Sequence, residues 1–287
     1  MIAFFGTGLL GANFVRALRT RGEDVNVWNR TFSKASALEV GGAHAFEDPA
    51  AAARGATRIH VTLSDDAAVD DVLERARPGI GARATIVDHS TTSPKGARER
   101  HARWRERGVK FLHAPVFMGP QNALDSTGIM LASGDAAVFN ALKPALEAMT
   151  GRLVHLDGGS DRAASFKLLG NMFLMFLTSG MADVLAFGKG VGLEPADAAT
   201  IFEIFNPAAM IAPRVKRILD NEFENASWEL EMARKDARLM IEAAALGGVE
   251  LAVVPAIASE MDRWIARGHA KDDWTVIAKG AFEKSEG

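Results

Sequence analysis

The sequence predicts an α/β fold, a doubly wound sheet followed by an all-α C-terminal domain, on three observations. A short apolar stretch at residues 2–5 runs directly into Gly6-Thr7-Gly8-Leu9-Leu10-Gly11 and then into a helical pattern over residues 12–18. Strand-like and helix-like segments keep alternating through the first half of the chain, as in a sheet covered on both faces. After Gly158-Gly159 the chain turns to Ala, Leu, Met and Glu at helical spacing, with few β-branched runs.

The elements follow in order. Strands are expected at 2–5, 24–28, 58–63, 85–88, 110–114, 128–133 and 153–156, with helices at 11–20, 33–40, 67–76, 95–107 and 136–149. Asp65 and Asp66 stand where they can cap the helix that follows the third strand. The sheet domain is expected over 1–159 and the helical domain over 160–287, with breaks at 190–195, 206–213, 221–226 and 247–248. Asp272-Asp273 reads as a late helix cap, and Trp228, Trp264 and Trp274 as helix-packing residues. The most apolar stretch, 166–191, is interrupted by Lys167, Asn171, Asp183 and Lys189, and reads as a buried helix rather than a membrane span, with 172–187 open as either core or dimer interface. No internal repeat or low-complexity linker is present, and the cleft between the domains is the expected ligand site.

Composition narrows the function. A chain of 287 residues suffices for two domains of roughly 100–200 residues each. A net charge of −3 with 24% charged residues gives no electrostatic footprint for nucleic acid. The absence of cysteine excludes disulfides, thiolate nucleophiles and Cys-based metal sites, and fits a reducing compartment. The seven histidines show no metal-ligand spacing, so no metal is expected; His60 and His113 fall in strands and read as structural. The chain opens as a core strand without a basic flank, which reads as no signal peptide, and the expected location is the cytoplasm.

The glycine run carries the first chemistry. Between a strand and a helix, the first glycine permits a tight turn and the second lets backbone approach a pyrophosphate. The third lets helix and strand pack closely, with the phosphates at the positive helix N-terminus. Gly6, Gly8, Leu9, Leu10 and Gly11 therefore form a dinucleotide-binding turn. At the end of the second strand, where a carboxylate would hold a ribose 2′-hydroxyl, the chain has Asn29-Arg30-Thr31, with Lys34 close behind. A neutral amide beside a guanidinium suits a 2′-phosphate, so the expected cofactor is NADP(H).

Lys167 and Asn171 are four residues apart on an otherwise apolar helix and share one face. Facing a cleft, the ammonium would exchange a proton with a carbonyl oxygen while the amide orients it; alternatively Lys167 is a surface lysine whose stem lies along the helix.

With these segments in place, the chain resembles the β-hydroxyacid dehydrogenase family of the 6-phosphogluconate dehydrogenase superfamily. The resemblance rests on Gly6–Gly11 with Asn29-Arg30-Thr31, on Asp88-His89-Ser90-Thr91-Thr92-Ser93-Pro94, on Ala114-Pro115-Val116 leading to Gly119, on Lys167 with Asn171, and on Lys235-Asp236. It implies an NADP(H)-dependent dehydrogenase acting on a small β-hydroxy acid or its semialdehyde, with Lys167 as general acid and base and Asn171 beside it. It further implies that Leu63, Ser64, Thr91 and Lys235 line the cofactor. Ser90, Phe117, Met118 and Gly119, together with Lys167, Asn171 and Lys235, would line the substrate. A homodimer or homotetramer is implied as well. The chain departs from the family at Phe117-Met118, where a serine and a glycine are usual, and at Asp161 and Ala163, which replace a glycine pair. The first departure makes an anion pocket narrower and more apolar, which keeps an imine reductase or reductive aminase open as the alternative. A non-catalytic NADP-binding protein is the third reading, against which the retained Lys167 and Asn171 count.

Overall fold

The computed structural model describes residues 1–283; the last four residues of the expected second domain lie outside the described residues. Two compact units are present, Met1–Met172 and Phe173–Gly287. The division falls inside a helix, because that helix's first turns pack on the sheet: Ala163 and Ala164 are fully buried.

In the first unit the order is β1 (Ile2–Phe5), α1 (Leu9–Thr20), β2 (Val25–Trp28), α2 (Phe32–Ser36), β3 (His44–Phe46), α3 (Pro49–Ala53), β4 (Arg58–Val61) and α4 (Asp66–Ala76). There follow β5 (Thr85–Asp88), α5 (Pro94–Glu106), β6 (Lys110–His113), β7 (Val116–Phe117), α6 (Pro120–Asp125), β8 (Ile129–Gly134), α7 (Ala136–Glu147) and β9 (Arg152–His155). The strands line up as β3-β2-β1-β4-β5-β6-β8-β7, with β9 beside β8. From β3 to β6 every pairing is parallel, whereas β8 joins antiparallel to both β6 and β7. The order 3-2-1-4-5-6 is that of a Rossmann-type sheet, whose direction of winding reverses between β1 and β4.

Both faces are buried, and the alternation in β1 shows how. Ile2 and Phe4 join the core beneath α1, α6 and α7, while Ala3 and Phe5 join the core beneath α3, α4 and α5. The short elements β3, β7, α3 and α6 were not expected. Strands of two or three residues are too short for a period to show. α3 does carry a start signal, since the Asp48 carboxylate accepts the Ala50 and Ala51 N–H groups at 3.1 and 3.3 Å ahead of Pro49. The helix expected over 33–40 stops at Ser36, and a 3₁₀ turn at Glu39–Gly41 closes on Gly42 at φ +82°.

α8 (Arg162–Gly190) leaves the first unit and enters the second, which continues with α9 (Pro195–Ala199), α10 (Ile201–Ile204), α11 (Ile211–Leu219), α12 (Leu230–Leu246) and α13 (Val254–Trp264). The break expected at 206–213 ends early: α11 starts at Ile211, so Pro213 sits in its first turn, where its missing N–H has no helical partner to lose. The core of this unit gathers Phe223, Leu230, Ala233, Ala237, Met261 and Trp264. Asp273 caps the 3₁₀ stretch Trp274–Ala281. It pairs with Arg217 and accepts the Ser227 and Thr275 N–H and hydroxyl groups; against the upward push of burial, those four hydrogen bonds hold its pKa down at about 2.

One expectation needs correction. The apolar stretch 166–191 forms the helix but is not buried within the chain: Met175 is 67% exposed and Phe176 63%. Apolar composition requires a cover without saying which surface supplies it. By length and composition alone α8 also suffices to cross a membrane. Asp183 on the same helix is nevertheless buried, its carboxylate accepting the Ala252, Val253 and Val254 N–H groups at 2.8–3.0 Å at the start of α13.

Candidate active site

The glycine turn folds as its sequence requires. Gly6 adopts φ +91°, and a Cβ there would stand 2.1 Å from the Thr62 carbonyl oxygen; one on Gly11 would stand 2.0 Å from the Gly6 carbonyl oxygen. Only glycine lets the ends of β1 and β4 and the start of α1 approach this closely. Gly8 caps α1 with no side-chain hydrogen bond and with open space where a Cβ would be, so the first amides of α1 stay available to an anion.

Asn29 braces this turn. Its Oδ1 accepts the Thr7 N–H at 3.1 Å, and its Nδ2 donates to the Thr31 carbonyl at 3.0 Å. Gly6, Gly8, Asn29, Arg30, Thr31, Lys34, Leu63 and Ser64 all line one cleft of about 250 Å³ at the point where the winding of the sheet reverses. Arg30, Thr31 and Lys34 are exposed at its edge. Sequence reasoning missed Arg75, near the end of α4. Its guanidinium lies 5.3 Å from the Trp28 ring centroid and 3.6 Å from the Asp71 carboxylate, and all three residues line the cleft. Asp65 caps α4 through the Ala68 N–H at 2.8 Å, while Asp66 instead accepts the Ser93 N–H and pairs with Arg100.

Beneath the loops runs a buried polar layer. Asp88 accepts the Ser90 N–H at 2.9 Å and faces Arg100 at 3.4 Å and His113 at 3.5 Å. Burial pushes its pKa up, but His113, Arg100 and the Ser90 contact outweigh burial and hold it below the usual carboxylate range. His89 Nδ1 lies 2.7 Å from the Ala114 carbonyl oxygen and must carry the proton there; its bare Nε2 then accepts from His60 Nδ1 at 2.9 Å. Burial lowers both histidines, His89 to about 4, so the pair is neutral near pH 7. His89 thereby ties the loop after β5 to Ala114, at the head of the Ala114–Gly119 loop. Ser90, also buried, accepts the Leu63 N–H on its Oγ at 2.9 Å and ties the same loop to the one after β4. Thr91 beside it is exposed.

The structure gathers the lysine and the divergent loop. Phe117 lies in β7, in register with Ile129 of β8. The Lys167 ammonium stands 4.2 Å from the centre of the Phe117 ring, and burial, its sole cause, lowers the lysine pKa below the ordinary value. A Cβ on Gly170 would stand 2.3 Å from Phe117 Cζ, so the ring fills a notch on α8 that only glycine leaves open. Asn171 follows Lys167 by four residues on the half-buried face. Met118 turns inward against the core, and the Gly119 N–H is taken by Asn122 Oδ1 at 2.9 Å.

Where the glycine pair is replaced, α8 is anchored by other means. Asp161 pairs with Arg98 at 2.8 Å, and Ser133 Oγ accepts the Ala163 N–H and donates to the Ser160 carbonyl. Lys235 lies on α12 in the second unit and pairs with its neighbour Asp236 at 3.0 Å. Among the described residues no cluster of His, Asp or Glu could hold a metal ion.

A dinucleotide-binding unit joined by a lysine-bearing helix to a helical unit defines an NAD(P)-dependent oxidoreductase. The chain belongs to the family of the NAD-binding domain of 6-phosphogluconate dehydrogenase, whose model matches residues 1–158; residues 171–281 match the NADPH-dependent reductive aminase-like C-terminal domain. It is 28% identical to the NAD-dependent L-serine dehydrogenase of Pseudomonas aeruginosa, covering all of this chain and 99% of that one. It is also 28% identical to the glyoxylate/succinic semialdehyde reductase 1 of Arabidopsis thaliana, over 90% of this chain and 89% of the relative. An imine reductase from Myxococcus stipitatus in complex with NADP+ shares the fold at a TM-score of 0.87 and 22% identity, over 97% of this chain and 99% of that one.

Proposed function

We propose that this protein is an NADP(H)-dependent reductase and dehydrogenase of the β-hydroxyacid dehydrogenase type, interconverting a small carbonyl compound and its alcohol. The observation that carries this reading is the half-buried Lys167 ammonium, four residues ahead of Asn171 on α8. A nicotinamide cofactor held at the glycine turn would supply the hydride for the carbonyl carbon. Lys167 Nζ donates a proton to the oxygen as its charge develops and takes it back in the reverse direction, while the Asn171 amide holds the oxygen in place. Arg30 and Lys34 would receive a 2′-phosphate at the edge of the cleft, and Lys235 would act from α12 on cofactor or substrate.

With NADPH and a panel of semialdehydes, Lys167→Ala is expected to lose about 10²–10⁴-fold in kcat, the usual worth of a general acid. Near-complete turnover in that variant overturns the mechanism. The second reading, an imine reductase or reductive aminase, draws on the apolar Phe117 loop and on the name of the matching C-terminal domain. Faster turnover of a cyclic imine than of any carbonyl in the panel, unaffected by Lys167→Ala, establishes it instead.

We also infer that a second copy of the chain covers α8. The exposed apolar side chains from Leu174 to Leu177 call for a cover, and the buried Asp183 carboxylate on the same helix, holding three amides of this chain, favours protein over lipid for that cover. Light scattering is expected to give a dimer or tetramer in detergent-free buffer; a monomer there overturns the inference.

A further inference from the structure

Phe117 stands where the resembling family has a small hydroxyl, and the structure gives it three specific neighbours. Its ring lies against Gly170, its face meets the Lys167 ammonium at 4.2 Å, and its backbone is fixed in β7 against β8. The loop around it offers an anion few donors: the Gly119 N–H is spent on Asn122, and the Ser90 hydroxyl, which keeps its own hydrogen, is buried. A carboxylate brought against this ring would find one strong donor, the Lys167 ammonium, and by pairing with it would take that ammonium away from the carbonyl oxygen. An apolar substituent would bury surface there at no such penalty.

We propose that Phe117, seated in the Gly170 notch, positions the Lys167 ammonium and selects carbonyl substrates that are uncharged on the side facing the ring. The selection rests on the carbonyl-reductase reading; the positioning does not. The aromatic face attracts the ammonium and the bulk of the ring keeps water from it. The first favours the charged form and the second disfavours it. No charged side chain of the described residues contributes to the Lys167 shift; burial alone lowers it.

The selection is tested with succinic semialdehyde and its methyl ester, which differ only at the end far from the aldehyde, where an uncharged, slightly larger group replaces the carboxylate, each assayed with NADPH. The wild type is expected to favour the ester by about tenfold or more in kcat/KM. Phe117→Ser is expected to erase most of that ratio, and Gly170→Ala, which evicts the ring while improving helix propensity, to move it the same way. Equal rates for acid and ester in the wild type, or an unchanged ratio in Phe117→Ser, overturn the selection while the carbonyl reading stands. Failure to reduce either aldehyde, with turnover of an imine, removes the carbonyl reading and the selection with it.

The positioning is then read without turnover, by NMR titration of Lys167 in the full chain, assigned with Lys167→Arg. Phe117→Leu keeps the bulk but removes the aromatic face, so Lys167 is expected to titrate at lower pH than in the wild type. An unmoved or raised titration overturns the positioning role.

Discussion

The cofactor cleft and the Lys167 patch are built on opposite principles. The cleft is made of backbone: Gly6 and Gly11 bring three chain segments within van der Waals range, bare amides open α1, and the cations Arg30 and Lys34 stand exposed at its edge. The patch is made of side chains packed on one another, with a ring in a notch and an ammonium over the ring. A backbone site owes its shape to its glycines, and the side chains at its edge only adjust which dinucleotide it holds. A packed site can be retuned by one residue, and this chain departs from its resembling family at just such a residue, Phe117. One fold can therefore keep its cofactor while changing its substrate.

The largest effect that sharpens this contrast belongs to the packed side. With Lys167 as the proposed general acid, reduction would need it protonated, so its rate is expected to fall about tenfold per pH unit above the lysine pKa. Burial lowers that pKa, so the falling limb lies below the ordinary lysine range. Alcohol oxidation needs the neutral amine and rises through the same limb. In Lys167→Arg the guanidinium stays protonated throughout, and whatever rate survives should be flat there. A falling limb of the same midpoint in that variant would assign it to another group.

The cleft side predicts a smaller effect confined to one cofactor. Arg30→Ala is expected to raise the KM for NADPH about 10–100-fold, the worth of a charge-assisted hydrogen-bonded contact, and to leave NADH nearly unchanged. A wild type that prefers NADH by a wide margin overturns the NADP(H) assignment.

The two regions also differed in how readable they were. The glycine turn was legible because its requirements are local, a strand, three glycines and a helix within twenty residues. Lys167 and Asn171 were legible as a pair because helical spacing is local too. That Phe117 meets Lys167 was not, since β7 has two residues and no period, and only the β7–β8 pairing sets the ring's position. The His60–His89 link and the Ser133 anchor of α8 were hidden for the same reason: each joins segments about 30 residues apart. The exposure of α8 was misread because apolar composition does not say which surface provides cover.

Arg75 tests where the backbone principle stops. No motif points to it: it sits in the last turn of α4 and reaches the cleft only because the strand order sets β4 beside β1. If its guanidinium only pins Trp28 and Asp71, Arg75→Ala should lower Tm slightly and leave both cofactors' KM values alone. If instead it forms part of the cleft wall against the half of the dinucleotide common to both cofactors, it should weaken NADPH and NADH alike. The second outcome is expected, because Arg75, Trp28 and Asp71 all line the same cleft as Gly6 and Arg30. A contact of this kind is worth about 0.5–1 kcal/mol, so both KM values should rise about two- to fivefold. An increase confined to NADPH would instead place Arg75 beside Arg30 at the phosphate, making recognition of the 2′-position a property of two cations, one from the loop after β2 and one from α4.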